Sequence, residues 1–188
     1  MRLNDALVTF FVYNDAEYEV DLSFDNVLDV YDVLDMDLHD FEKARMCLTL
    51  LLGKHDYQNL EAIELWNYIY SNFIHVESKE VVKKDLLGNV LPAPKKEEGE
   101  EERLIDFDKD ANYIYASFMQ AYNINLFEQQ GVMHWKEFLA LLDGLPSNTR
   151  MKEIIRIRSW TPSKHDSNEY KEQMRELQDI YSLESEVE

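Results

Sequence analysis

The stretch Arg103–Phe118, RLIDFDKDANYIYASF, decides how the second half of the chain folds. Asp106, Asp108, Asp110 and Asn112 stand at alternate positions, the spacing with which a helix-loop-helix calcium site supplies its first oxygen ligands. Read that way the stretch is a loop; read as the acidic start of a helix, it opens a helical segment. A calcium loop beginning at Asp106 needs a left-handed residue, normally Gly, at its sixth position and a bidentate Glu at its twelfth. Ala111 and Ser117 stand there instead, and the aromatic run YIYASF is better helix than loop. The stretch therefore reads as a helix start, with Asp108 or Asp110 as the cap and its carboxylates favoured by the positive end of the helix dipole.

Working outward, the helical period continues downstream. It runs through Ile114, Phe118 and Ala121, then through Trp135, Phe138, Leu139 and Leu142 in MHWKEFLALLDGLP, where Gly144 and Pro146 end the helix. TRMKEIIRIRSW reads as a short basic helix, and Tyr170, Met174, Leu177 and Tyr181 mark a last one. Upstream, ESKEVVKKDLLGNVLPAPKKEEGEEE breaks the pattern with prolines, glycines and charge blocks, which reads as an acidic, flexible insertion over residues 77–104.

Before that insertion three more helices are expected. Ser23 is a candidate cap for one carrying Phe24, Val27, Leu28, Tyr31 and Leu34. DFEKARMCLTLLLG is a buried helix stopped by Gly53, and NLEAIELWNYIYSNF places Ile63, Trp66, Tyr70 and Phe73 on one stripe. The first β-prone runs, Val8–Tyr13 and Tyr18–Leu22, are separated by NDAE and read as a hairpin. The expected fold is mainly α: a bundle of six to seven helices with a small N-terminal β-hairpin. Residues 1–76 and 105–188 pack as one domain around the 77–104 insertion.

Composition narrows the function classes. With 38 Asp and Glu against 19 Lys and Arg, the formal net charge is -19, which disfavours nucleic acid and anionic membranes as partners. The charges are also sorted: Arg2–Lys43 encloses twelve acidic residues and no basic one, whereas Arg150–Lys164 holds five basic residues and only Glu153. Attraction between those regions is expected, within or between subunits. Cys47 is the single cysteine and sits in an apolar run, so it reads as a buried, inert thiol without a disulfide partner. No window approaches ~20 apolar residues and no secretory leader is visible, so a soluble cytoplasmic protein is expected.

No catalytic constellation stands out. His134 and Glu137 form an H-x-x-E pair on one helix face, but no other histidine has the spacing to complete a metal site, so His134 reads as a packed or exposed residue beside Trp135 rather than a ligand. With five glycines in all, the chain has no phosphate-cradling loop and no nucleophile elbow. We expect no enzyme activity, no cofactor and no metal. The abundant aromatics, 11 Tyr, 9 Phe and 3 Trp, supply a core first. With seven methionines they also suit an adaptable protein-binding surface.

FDKDANYIYASFMQAYNINL and HWKEFLALLDGLPSNTRMKEIIRIRSW resemble a family of small phage and prophage proteins, the gene product fifteen family. Asp110, Tyr113, Ile114, Phe118, Tyr122, Ile124 and Leu126 fall on its helix pattern. His134, Trp135, Phe138, Leu141, Gly144, Leu145 and Pro146 fall on its H-W-x-x-F-x-x-L-x-x-G-L-P pattern, followed by Ile154, Ile155 and Arg158. The sequence departs from the family in its more acidic N-terminal stretch and in Lys136, which replaces a second aromatic.

The resemblance implies a non-enzymatic protein of the tail module of long-tailed phages: a tail assembly chaperone that binds the tape-measure protein and recruits tail-tube protein. It implies the cytoplasm of the bacterial host as its location, absence from the mature virion, and a homo-oligomer as an expected state. The candidate partner-binding or family-motif residues are Tyr113, Phe118, Tyr122, His134, Trp135, Phe138, Arg158 and Trp160, with Trp135, Tyr122 or Trp160 presented to a helical client. A minor structural tail component and an acidic DNA mimic are the alternatives.

Overall fold

The computed structural model describes residues 4–53, 57–75 and 104–183; the insertion expected at 77–104 lies outside the described residues except for Leu104. Strands β1, Phe10–Tyr13, and β2, Ala16–Glu19, form an antiparallel hairpin with Tyr13 opposite Ala16 and Phe10 opposite Glu19. Only Asn14 and Asp15 make the turn, both with left-handed φ of 50° and 61°. This corrects the four-residue NDAE connection: a two-residue turn with positive φ matches the strand twist, and Asn and Asp adopt it at least cost among residues with a Cβ. Alternation turns Phe11 inward, stacked on Tyr18 at 5.3 Å and against Phe73 at 5.3 Å, and leaves Phe10 and Val12 exposed.

Seven α-helices follow among the described residues. Helix α1, Phe24–Asp35, buries Phe24, Val27, Val30 and Val33, so its buried stripe is rotated from the expected one, and Leu28, Tyr31 and Leu34 are half-buried flanks. Ser23 occupies the N-cap position, but its buried hydroxyl makes no hydrogen bond and does not cap the helix. The backbone of its two neighbours is used instead. Phe24 N–H donates to the Met133 carbonyl at 2.9 Å and Trp135 N–H to the Leu22 carbonyl at 2.7 Å, tying the starts of α1 and α5 together.

Helix α2, Asp40–Leu52, buries Ala44, Cys47, Leu48 and Leu51 and ends at Gly53, whose φ of 79° belongs to glycine. Cys47 is fully buried as expected, and burial pushes its thiol up to about 12. Helix α3, Asn59–Ile69, runs into a π turn, Tyr70–Ile74. The buried positions are Ala62, Leu65, Trp66, Ile69 and Ile74; of the expected stripe Trp66 is among them, whereas Ile63, Tyr70 and Phe73 are half-buried. The wider turn widens the spacing between inward positions and brings Ile74 into the core.

The C-terminal part comprises α4, Ala111–Tyr122, a 3-10 turn at Leu126–Gln129, α5, Trp135–Asp143, α6, Arg150–Arg158, and α7, Asn168–Ile180. Ser117, the residue that fails as a calcium ligand, is fully buried: its hydroxyl donates to the Tyr113 carbonyl at 2.6 Å and accepts from Met151 N–H at 3.0 Å. It thereby satisfies one of the unpaired amides at the start of α6. Ser117→Ala is expected to lower stability by about 1–3 kcal/mol in urea denaturation, because the Met151 amide is left buried without an acceptor.

The core gathers around Phe138, whose ring lies 4.9 Å from Phe24, 5.4 Å from Phe118, 5.6 Å from Trp135 and 6.1 Å from Phe107. Trp135 satisfies its indole N–H on the Ile74 carbonyl at 3.2 Å. Residues of 8–74 and of 105–155 thus share one hydrophobic cluster. The architecture is mainly α with a small N-terminal hairpin, as the sequence led us to expect.

Candidate functional site

The Leu104–Asp110 approach to α4 is held from inside. Asp106 accepts Asp108 N–H and Lys109 N–H, both at 3.0 Å, and Asp110 accepts Asp106 N–H at 3.0 Å. Asp110 stands at the N-cap of α4, yet its carboxylate bonds no α4 amide. It is 1% exposed and accepts both arms of Arg158, at 2.6 and 2.8 Å. This corrects the capping role read for Asp108 or Asp110: a charge this deeply buried is stabilised by an opposite charge in bidentate geometry. Arg158 also donates to the Leu104 carbonyl at 2.8 Å and, through Nε, to the Tyr181 carbonyl at 2.6 Å. One guanidinium joins the approach segment, α4, α6 and the end of α7.

Two of the sorted basic residues are used locally. Arg158 and Arg150 pair with Asp110 and Glu153, both in the C-terminal part, rather than with the acidic N-terminal stretch. Arg150 also donates to the Tyr181 hydroxyl and lies over the Tyr113 and Tyr181 rings. Gln178 reaches from α7 to the carbonyls of Ile157, Arg158 and Trp160 at 2.9–3.2 Å and so caps the end of α6.

His134 is the N-cap of α5. Its Nδ1 accepts Lys136 N–H at 3.0 Å, Glu137 accepts His134 N–H at 3.1 Å, and Nε2 donates to the Val8 carbonyl at 3.3 Å. The H-x-x-E pair is a capping box with imidazole in the place of a hydroxyl. His39 and Glu42 repeat the spacing at α2, where His39 N–H donates to Glu42 at 3.2 Å.

Burial holds His134 below its ordinary value of 6.5. The unfolded chain then takes up the proton first, so the stabilising contribution of neutral His134 is complete above about pH 6.5 and is lost as the pH falls below it. The unfolding free energy from urea denaturation between pH 7.5 and 5.5 should fall more steeply for the native protein than for His134→Gln, by at most ~1.4 kcal/mol per pH unit. Equal slopes would assign the pH dependence to other groups.

An open apolar pocket of about 170 Å³ lies between α1, α4, the 3-10 turn and α5. Phe24, Leu28, Phe107, Ile114, Leu126 and Phe138 wall it, and Tyr115, Phe127 and Gln130 stand around it. Phe127 is 69% exposed and rests 5.2 Å from the Tyr115 ring. Leu28 and Phe107 are also walls of a second, smaller depression lined by Tyr31, Asp32, Asp35, Asp106 and Asp108. Burial first, then the charges of Asp108, Asp29 and Asp35, hold the Asp32 carboxyl above its ordinary range.

The candidate residues are distributed unevenly over these features. Phe118, Trp135 and Phe138 meet in the core at 0–1% exposure, so Trp135 is not presented to a client, because its packing and its indole hydrogen bond hold it inside. Tyr122 is half-buried and donates to the Leu141 carbonyl at 2.9 Å, beside Gly144, where a Cβ would come within 3.3 Å of its hydroxyl. Tyr113 packs edge-on against Tyr181, and Trp160 edge-on against Tyr170. Tyr115, Phe127, Leu28 and the Asp32 group were not singled out as a site by the sequence. Phe127 lies in a short turn with no periodicity, and the others come together only through contacts between distant segments.

No described helix is long and apolar enough to cross a membrane. No curated protein and no solved structure matches the chain. The family profile described as Bacteriophage Gp15 protein matches residues 3–183, extending the likeness seen in the α4–α6 motifs over nearly the whole chain. The chain therefore belongs to the bacteriophage Gp15 protein family.

Proposed function

We propose that this phage protein is a non-enzymatic tail assembly chaperone, which binds the tape-measure protein and assists tail-tube assembly in the host cytoplasm without remaining in the virion. The observation that carries the reading is the open apolar pocket floored by family-motif residues Ile114, Leu126 and Phe138 and bordered by carboxylates. A long helical client has apolar faces that need cover until the tube encloses it. A pocket with an exposed aromatic at its mouth supplies cover, and a net charge of -19 keeps the complex soluble. Tyr115 and Phe127 take the contact role that Trp135, as a core residue, does not have, while Tyr122 and Trp160 remain accessible in part.

Co-expression with the tape-measure protein tests the reading. The client should move into the soluble fraction and co-purify, and a client equally insoluble with and without this protein ends it. Mass spectrometry of purified particles should find only traces relative to tube subunits; stoichiometric amounts would make the protein a structural tail component.

A further inference from the structure

We propose that the apolar pocket and its acidic neighbour form one two-point docking site for an amphipathic helix of a partner chain, which inserts a large apolar side chain and sets a Lys or Arg one turn away against the carboxylates. The inference rests on the chaperone reading for a helical client and adds what that client must carry. The pocket has the size of cavities that hold a benzene-sized group, ~150 Å³, and it opens to the surface beside Phe127. Its shared wall, Leu28 and Phe107, places the two depressions side by side. Side chains three or four positions apart on a helix are likewise neighbours, about 5–6 Å apart.

Charge selects the occupant. Asp32, Asp35, Asp106 and Asp108 line the second depression, and among the described residues no Lys or Arg lines either one. Lys109, in the same turn, is directed away to the Leu183 carbonyl at 2.6 Å. An acidic helix is repelled here and a basic one attracted. A second copy of this chain is a poor fit: Leu60 and Ile180, each 69% exposed and the most exposed apolar residues on the described α-helices, stand one turn from Glu64 and Glu176, and Lys43, one turn from the exposed Met46, is held by the Leu34 carbonyl at 2.7 Å. Ile154, Ile157 and Arg158 of α6 do not serve either, because the two isoleucines are buried and Arg158 is held by Asp110.

Fluorescence anisotropy with labelled, designed helical peptides tests the site on the full chain. Peptides carrying Leu and Lys four positions apart, in either order, are compared with versions in which Glu replaces Lys or Ala replaces Leu. We expect at least one Leu–Lys peptide to bind about tenfold more tightly than both altered versions. Phe127→Ala should remove most of that binding, and Asp32→Asn with Asp35→Asn should abolish the preference for Lys over Glu. All three residues are exposed, so the variants keep the fold, which circular dichroism verifies. No Leu–Lys binding at millimolar peptide, equal binding of the Lys and Glu peptides, or binding unchanged in both variants overturns the proposal.

Tape-measure fragments separate the two readings. If they bind native protein and both variants equally, this site is wrong and the chaperone reading stands. If none binds while a Leu–Lys peptide does, the site stands and the client's identity is wrong.

Discussion

Arg158→Ala is expected to lower the stability of the protein by about 3–5 kcal/mol, the range for breaking a buried pair by removing one partner. The Asp110 carboxylate, 1% exposed in the native protein, would keep Asp106 N–H as its remaining donor. The Leu104 and Tyr181 carbonyls would lose their Arg158 donors at the same time. Against a typical total of ~5–15 kcal/mol, that loss brings the chain near unfolding at physiological temperature. Arg158→Lys should recover little, since an ammonium cannot offer the planar fork that reaches both carboxylate oxygens and two carbonyls.

The double variant Arg158→Met with Asp110→Leu should be more stable than Arg158→Ala alone, because no unpaired charge is then buried. Urea denaturation of the four proteins measures this. A single-variant loss below ~1 kcal/mol would show that the pair is not the clamp described.

Phe138→Ala is expected to lower stability by a similar amount, about 3–5 kcal/mol. The ring is 1% exposed and touches four other aromatic rings, from α1, α4, α5 and the approach to α4. Its removal leaves a cavity that these four elements cannot collapse to fill. The same ring floors the docking pocket, so thermal and chemical denaturation should be read beside peptide binding. Phe127→Ala, whose ring is 69% exposed, serves as the contrast: it should leave the unfolding free energy within ~0.5 kcal/mol of native, the scale of surface substitutions. A loss of several kcal/mol there would mean that Phe127 is a core residue rather than a contact.

The helices were legible because their signal is local. Each forms i to i-4 backbone hydrogen bonds whatever lies beyond it, and apolar residues repeating with that period mark it. Which face is buried was less legible. In α1 the valines at 27, 30 and 33 turn inward while Leu28, Tyr31 and Leu34 stay on the flank. That choice depends on the neighbours, and Leu28 and Tyr31 become walls of the depressions. The π turn after α3 was illegible for a similar reason: it lets Ile74 meet Trp135, which lies 61 residues away. The H-x-x-E pairs show the opposite case, since a capping box is a local pattern and was hidden only because imidazole replaces the usual hydroxyl.

By itself the sequence determined the helical class, the hairpin, the helix ends at Gly53 and Gly144, and, through the motifs of α4 to α6, the likeness to the phage family. It also determined that the stretch at Asp106 is no calcium loop, because Ala111 and Ser117 lack the chemistry that loop needs. Only the tertiary structure decided what those residues do instead: Asp110 is neutralised by Arg158 from 48 residues away, Ser117 accepts the Met151 amide from 34 residues away, and Trp135 is sealed in the core while Phe127 faces outward. The physical reason is range. Backbone period and capping are properties of a few consecutive residues, whereas the partner of a charge, a hydroxyl or an aromatic ring is chosen by whichever distant segment packing brings within reach.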